Sequence, residues 1–242
     1  MTDPYRWLED QNSPETRDWI TRQNAYTDAM LAKAPGKDEL ATRIQSLLNV
    51  ESIGTPTIRG NRVFYAKRRA GEDLFSIYMR DGLQGTEQLL IDPAPLNPKH
   101  TTNIGIIDVI ADGKLLAYYV REGGADETEV RFFDVDARRD AGAPLPRARY
   151  QGVSISPDHA TVYYTAFVEG GPRVFRRGFS GGTPEKLFGD GYGPEKIIYS
   201  ELSDDGQWLL MHVLYGSAAN KTEIYLQDVR NGGPLKTVVN DL

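Results

Sequence analysis

The sequence contains no cysteine, only three histidines and no excess of positive charge. Without cysteine, disulfides, thiolate metal sites and a cysteine nucleophile are excluded. The formal net charge is −6, whereas nucleic-acid-binding proteins usually carry a basic excess that neutralises phosphates. We therefore expect neither a disulfide-stabilised scaffold nor a nucleic-acid partner.

Long hydrophobic runs are also missing. The apolar stretch from Trp208 to Tyr215 is interrupted by His212 and is much too short to span a bilayer. The chain begins Met1-Thr2-Asp3-Pro4, without the basic region and apolar core of a secretory signal. We expect a soluble protein that does not bind membranes, and a leaderless chain without cysteine favours a cytoplasmic location.

The hydrophobic content is ordinary for a folded protein. Of 242 residues, 40% are hydrophobic and 10% are aromatic, which is enough for a packed core in one large domain or two small ones.

The periodicity of the sequence changes near Asn49. Before this point it is helical: Ser13 can cap a helix whose first turn contains Pro14, and the apolar stripe continues to about Lys33. A second helix is predicted from Lys37 to Leu48. Residues 1–49 are therefore interpreted as an N-terminal α-helical segment.

After Asn49 the apolar period becomes two. Short runs rich in Val, Ile, Tyr and Phe alternate with Gly, Asp, Asn and Pro turns, a pattern typical of antiparallel strands. The predicted strands are Arg62 to Lys67, Phe75 to Arg80, Leu115 to Val120, Val130 to Val135, Val162 to Phe167, Val174 to Arg177, Trp208 to Leu214 and Glu223 to Val229. No amphipathic helix separates them, which argues against a βαβ fold.

The predicted strands recur as groups. A tight turn precedes the strongest strand of each group, at 59–61, 111–114, 156–159 and 203–206. The spacing, roughly 45 to 53 residues, is typical of four-stranded propeller blades. The sequence thus predicts a mainly β fold with about four blades of a β-propeller in residues 50–242. A β-sandwich with evenly spaced turns is the alternative on this pattern alone.

Two segments resemble a known family. The opening Asp3-Pro4-Tyr5-Arg6-Trp7-Leu8-Glu9-Asp10, followed by a helix through Arg22-Gln23-Asn24, resembles the start of prolyl oligopeptidases and close relatives such as oligopeptidase B. The later Glu201-Leu202-Ser203-Asp204-Asp205-Gly206 resembles the propeller of the same family.

This resemblance implies a serine endopeptidase that cleaves short peptides after proline and needs no cofactor. A seven-bladed propeller would gate access to an α/β-hydrolase catalytic domain, so the expected partners are an oligopeptide substrate and that domain. Because the family's nucleophile, acid and histidine follow the propeller, the resemblance implies that this chain lacks the catalytic domain and is inactive alone. The alternative is a free-standing propeller that serves as a binding or scaffold module.

One substrate-binding residue follows from the resemblance. The family lines its substrate pocket with an aromatic side chain from the propeller, and Tyr150 is the candidate counterpart. A core position at a strand end is the other interpretation of Tyr150. The arginine that the family places after its Ser-Asp-Asp-Gly strand has no match here, since Leu214 and Tyr215 lie nearby.

A second motif points to catalysis in this chain itself. The segment 178–182 fits G-x-S-x-G, with Ser180 in the nucleophile position, and Asp190 and His212 follow in hydrolase order. A nucleophile elbow requires a buried strand before the serine and a helix after it, and neither is predicted here. We interpret the segment as a glycine-rich hairpin and assign no catalytic residue.

The remaining charged residues predict no metal site. His100, His159 and His212 fall in a loop, a turn and a strand, and no two have metal-ligand spacing. The basic run from Lys67 to Arg69 lies at a strand end and is interpreted as a solvated edge.

Overall fold

The computed structural model describes residues 3–218 and 221–240. These residues divide into two compact units, one that ends at Val50 and one that begins at Glu51.

The first unit is helical. It contains a 3₁₀ turn, Arg6–Glu9, and two helices, α1 (Pro14–Leu31) and α2 (Lys37–Leu48). Ser13 caps α1, since its hydroxyl accepts the Thr16 amide at 3.1 Å. The Thr16 hydroxyl in turn donates to the Trp7 carbonyl at 3.1 Å. Both predicted helices are confirmed.

The second unit is built from antiparallel sheets. Its strands are β1 (Ser52–Ile53), β2 (Thr57–Arg59), β3 (Arg62–Arg68), β4 (Ser76–Asp81), β5 (Gln88–Ile91), β6 (Thr102–Val109), β7 (Leu115–Glu122), β8 (Thr128–Asp134), β9 (Arg139–Ala148), β10 (Tyr150–Ile155), β11 (Thr161–Val168), β12 (Gly171–Gly178), β13 (Gly181–Phe188), β14 (Ile197–Leu202), β15 (Trp208–Leu214), β16 (Thr222–Asp228) and β17 (Lys236–Val239). A 3₁₀ turn, Ala94–Leu96, precedes β6.

Over the described residues these strands form four sheets, each from consecutive strands. Sheet 1 contains β1 to β5, and β1 and β2 both pair with β3. Sheets 2, 3 and 4 contain β6 to β9, β10 to β13 and β14 to β17, in chain order. The predicted propeller architecture is confirmed, and four separate sheets rule out the sandwich.

The hydrophobic core lies between neighbouring sheets. One buried cluster contains Phe64 of sheet 1 and Leu116 of sheet 2, a second contains Val130 of sheet 2 and Val162 of sheet 3, and a third contains Val174 of sheet 3 and Met211 of sheet 4. Alternating residues of a strand face opposite sides of its sheet, so each internal sheet contributes to two of these layers. The stack of sheets is therefore continuous from sheet 1 to sheet 4.

A recurring turn closes the first hairpin of sheets 3 and 4. The Ser156 hydroxyl donates to Asp158 at 2.5 Å and accepts the Thr161 amide at 2.9 Å. In sheet 4, the Ser203 hydroxyl bonds Asp205 at 2.5 Å and the Trp208 amide at 2.9 Å. Each serine thereby fixes both the turn and the start of the next strand.

The interpretation of the basic run as a solvated edge is wrong for Lys67. This side chain is 9% exposed, and its ammonium group lies 3.0 Å from Glu51 and 3.1 Å from Glu87. Glu87 also accepts the Tyr65 hydroxyl at 2.9 Å. A buried lysine is tolerated here because it is paired with two carboxylates.

Candidate functional site

The predicted substrate-binding residue, Tyr150, is the first residue of β10 and is partly buried. Its hydroxyl donates to the Pro146 carbonyl, and its ring packs edge-on against Tyr164 at 5.9 Å between centroids. Burial, and then the neighbouring Tyr164, raise the pKa of Tyr150. The phenol is therefore neutral at ordinary pH, and what it offers to a ligand is an aromatic surface.

Two neighbours of Tyr150 hold the start of β10 in place. The Arg149 guanidinium lies over the Phe167 ring at 4.0 Å from its centroid, and the Arg149 carbonyl accepts the Phe167 amide at 2.9 Å. Gly152 follows at a register shift, with φ of +102°. A Cβ at this position would lie 2.2 Å from the Ser200 carbonyl oxygen of β14. Only glycine at position 152 permits β10 and β14, the first strands of sheets 3 and 4, to approach this closely.

A cluster of polar side chains around one carboxylate, Glu223, lies at the end of β15. The arginine that the family resemblance predicts near this position has no counterpart in the sequence. Glu223 is 5% exposed and accepts the hydroxyls of Tyr192 at 2.6 Å, Tyr215 at 2.9 Å and Tyr225 at 3.0 Å. The Lys221 ammonium lies 3.0 Å from the same carboxylate. Tyr150 begins β10 and Tyr215 follows the end of β15, so antiparallel pairing places both at the same end of their sheets.

The electrostatics of this cluster favour the ionised carboxylate. Burial by itself raises the pKa of Glu223. The hydroxyl of Tyr192, the Lys221 ammonium and the two other phenols lower the pKa by more than burial raises it, so the net value is about 2. Lys196 adds a cation 3.8 Å above the Tyr215 ring. Sequence reasoning missed Glu223, because its partner Tyr192 lies 31 residues away in the sequence and only the fold brings the two together.

The opposite end of the first strands surrounds a small polar cavity. Its volume is about 90 Å³, and each of the four sheets contributes lining residues, which include Arg59, Asp108, Ser154, Glu201 and Asp204. The Arg59 guanidinium donates to the Val109 carbonyl at 2.6 Å and lies 3.9 Å from Asp204. The first strands of sheets 2, 3 and 4 and the end of β2 of sheet 1 thus meet at this cavity.

Asp108 is the titratable group with a displaced pKa in this cavity. Burial raises its pKa, while hydrogen bonds from the Ile155 and Val109 amides and the charge of Arg59 oppose the rise. The nearby Asp204 raises it further. Asp108 lies at a register shift between β6 and β7, and no sequence motif singled it out.

Ser180 lies in a hairpin turn. Gly178 and Gly181 pair across the turn that joins β12 to β13, and Ser180 is exposed. The predicted glycine-rich hairpin is confirmed, and β13 stands where an elbow would require a helix. His212 belongs to sheet 4, where its ring stacks on Tyr199 at 4.4 Å.

The other histidines lie where the pattern predicted. His100 is in the loop before β6, and His159 is in the turn before β11, with its Nε2 atom 3.1 Å from Asp112 of sheet 2. Within residues 3–218 and 221–240, no three His, Asp or Glu side chains group as metal ligands would. Neither helix of the described chain is long and apolar enough to cross a membrane.

Comparison with known families gives a match along the whole chain. The family described as the prolyl oligopeptidase N-terminal β-propeller domain matches residues 1–242. The prolyl endopeptidase of Elizabethkingia meningoseptica is 26% identical over 96% of this chain and 34% of its own length. Prolyl oligopeptidase A of Galerina marginata is 24% identical over 97% of this chain and 37% of its own length.

Solved structures give the same result. One from a mechanistic study of two prolyl endopeptidases superposes with a TM-score of 0.89, at 27% identity, over 100% of this chain and 37% of that one. Prolyl oligopeptidase B of Galerina marginata, bound to a 35mer substrate, shares the fold with a TM-score of 0.79 at 18% identity, over 100% of this chain and 38% of that one. The chain therefore spans little more than a third of these relatives.

Proposed function

The chain belongs to the family of prolyl oligopeptidase N-terminal β-propeller domains, and we propose that it forms the substrate-gating part of a serine endopeptidase that cleaves short peptides after proline. The observation that carries this proposal is the match of the entire chain to that family, together with a structural match that also covers the entire chain. Two of the curated relatives that match along 96% of the chain are prolyl endopeptidases.

The proposed gate has a physical basis in the sheets. First strands that converge around one axis leave a narrow passage, which admits a flexible oligopeptide and rejects a folded protein by size. Shielding the reaction from bulk water also strengthens electrostatic catalysis. We propose that the nucleophile, acid and histidine are supplied by an α/β-hydrolase domain outside residues 1–242, and that the helical residues 1–49 precede the propeller residues 50–242. A cytoplasmic location is part of the same proposal.

Activity assays test the proposal. The protein at its natural length should hydrolyse a fluorogenic peptide with proline before the scissile bond much faster than a matched peptide with alanine there. The 242-residue chain alone should be inert. Hydrolysis by the isolated chain that Ser180→Ala abolishes would overturn the assignment of catalysis to another domain.

We further propose that the Tyr150 ring forms part of the substrate pocket. The ring is fixed by Tyr164 and its hydroxyl is already bonded to Pro146, so an apolar face remains for a substrate. Tyr150→Ala should raise KM about tenfold, equivalent to about 1.4 kcal/mol of lost binding.

The matched control is Tyr150→Phe, which keeps the ring and should change KM by less than about threefold, since the lost hydroxyl is bonded within the protein. Unchanged KM in a folded Tyr150→Ala variant would remove Tyr150 from the pocket.

A further inference from the structure

A second cavity, with a volume of about 360 Å³, lies on sheet 1. It is bounded by β4, by the loop between β3 and β4 and by the connection between β5 and β6. All of its lining residues lie between positions 69 and 100. This part of the chain therefore forms the cavity without sheet 3 and without Tyr150.

Two buried hydroxyl groups line this cavity. Ser76 and Tyr78 are the first and third residues of β4, so both side chains point to the same side of sheet 1. They are 8% and 2% exposed. Among the contacts within residues 3–218 and 221–240, neither hydroxyl has a hydrogen-bond partner. Because buried polar groups are nearly always paired, these two hydroxyls indicate a ligand that supplies the missing partner.

The phenol of Tyr78 is held in place and ready to donate. Its ring stacks on Tyr65 at 6.1 Å between centroids, and the Arg69 guanidinium lies 5.2 Å from its centroid. Burial raises the pKa of Tyr78, so the hydroxyl keeps its proton at ordinary pH. Tyr118 of sheet 2 is equally buried, but its hydroxyl donates to Asp140 at 2.9 Å. An unpaired phenol is therefore a particular feature of the cavity on sheet 1.

The charges around the cavity favour a cation. Three carboxylates line it, those of Glu72, Asp73 and Asp92, against one guanidinium, that of Arg69. Arg69 is already engaged by two carboxylates, at 3.1 and 3.7 Å. Asp73 forms no ion pair within the described part of the chain. Its carboxylate is therefore available to a positively charged ligand.

The amino-terminal end of a peptide has the complementary groups. Its ammonium donates charge-assisted hydrogen bonds to carboxylates, and its first carbonyl accepts a hydrogen bond from a hydroxyl such as that of Tyr78. An apolar side chain packs against Leu74, Leu89 and Ala94, which also line the cavity. The volume falls in the lower part of the range for small-ligand sites, about 300–1,000 Å³, so terminal residues fit and a folded chain does not.

We propose that this cavity binds the amino-terminal residues of a peptide, with Asp73 holding the ammonium and Tyr78 donating to the first carbonyl. The site shares no lining residue with the surroundings of Tyr150. It is therefore a second peptide site, and it does not depend on the proposed cleavage after proline.

Calorimetric titration of the protein at its natural length tests the proposal. The probe is the dipeptide alanyl-leucine, which has a free ammonium and no proline, and its partner is N-acetyl-alanyl-leucine, which lacks the ammonium. The free dipeptide should bind at one site and the acetylated one at least about tenfold more weakly. Asp73→Asn should weaken binding of the free dipeptide about three- to tenfold.

Two tyrosine variants separate binding from folding. Tyr78→Phe removes a hydroxyl without a partner in the protein, so it should leave the melting temperature of the free protein unchanged and weaken dipeptide binding about two- to tenfold. Tyr118→Phe removes a hydroxyl bonded to Asp140, so it should lower the melting temperature and leave the affinity unchanged. Tyr150→Ala should also bind the dipeptide with native affinity.

Three results would overturn the site. These are equal affinities for the free and acetylated dipeptides, native affinity in Tyr78→Phe, and loss of binding in Tyr150→Ala, which would put the dipeptide in the proposed substrate pocket instead. Calorimetry requires no hydrolysis, so a protein that cleaves no proline-containing peptide would refute the proposed function and leave this measurement decisive.

Discussion

Replacing Gly152 by alanine tests whether the close approach of β10 and β14 stabilises the stack of sheets. Gly152 has φ of +102°, and an added Cβ would lie 2.2 Å from the Ser200 carbonyl oxygen. Gly182 is a matched control, because its φ is +110° and a methyl group added there would meet nothing within 4 Å. Both substitutions strain the backbone, and only the first forces two sheets apart.

The two free energies of unfolding should therefore differ. A side chain at positive φ costs about 1–3 kcal/mol at either position. Overpacking against Ser200 adds about 1–3 kcal/mol at Gly152 alone, because the obstacle is backbone and cannot rotate away. Urea denaturation should show a total loss of about 2–6 kcal/mol for Gly152→Ala and the smaller backbone loss for Gly182→Ala. Equal losses would mean that the sheets can separate at this point without penalty, and the reasoning would be wrong.

Two further predictions concern stability. Glu223→Gln should lower the free energy of unfolding by about 2–4 kcal/mol at neutral pH. The pKa of Glu223 in the folded protein is about 2, below its ordinary value. The ionised carboxylate therefore stabilises the native protein above about pH 4, and this stabilisation is lost on further acidification. The free energies of unfolding of native protein and Glu223→Gln should therefore converge at low pH. Ser203→Ala removes the two hydrogen bonds that the Ser203 hydroxyl makes with Asp205 and the Trp208 amide, and it should lower the free energy of unfolding by about 1–3 kcal/mol. Ser180 lies in an exposed turn, so Ser180→Ala should change the free energy of unfolding by less than about 0.5 kcal/mol. It should also leave proline-peptide hydrolysis intact. Loss of hydrolysis in Ser180→Ala, or equal denaturation midpoints for the two serine variants, would contradict this account.

The sequence predicted the central strands of each sheet and missed the outer ones. Strands β7 and β11 are buried along most of their length, so their apolar residues are dense and easily recognised. Strands β9 and β13 are largely exposed, and their composition is that of a loop. Pairing with a neighbour, and not apolar periodicity, makes them strands.

The candidate site was less predictable than the fold. Tyr150 was found through the family resemblance, and Gly152 carried a local signal, since glycine within a strand marks a bulge or a close backbone approach. Glu223 and Tyr192 carried no signal, because 31 residues separate them and only the fold brings them to 2.6 Å. Lys67 was misjudged for the same reason, since the carboxylates of Glu51 and Glu87 that pair with it lie outside its strand.

Sheet 2 departs from the turn that recurs in sheets 3 and 4. Sheets 3 and 4 begin their recurring turn with Ser156 and Ser203, whose hydroxyls bind the turn aspartates. Sheet 2 has Ile110 at the corresponding position. Its turn aspartate, Asp112, binds the Lys114 amide at 2.8 Å but has no serine partner in its own turn.

Both departures of sheet 2 are directed at sheet 3. Asp112 lies 3.1 Å from His159, and Asp108, in the place that Ser154 takes in sheet 3, lines the same small cavity as Ile155. Both place polar side chains of sheet 2 beside sheet 3, whereas the equivalent described contact between sheets 3 and 4 is the hydrogen bond from the Leu202 amide to the Ser154 hydroxyl. In a stack where each sheet contacts mainly its neighbours, the contact between Asp112 and His159 ties sheet 2 to the first hairpin of sheet 3, whose first strand, β10, begins at Tyr150.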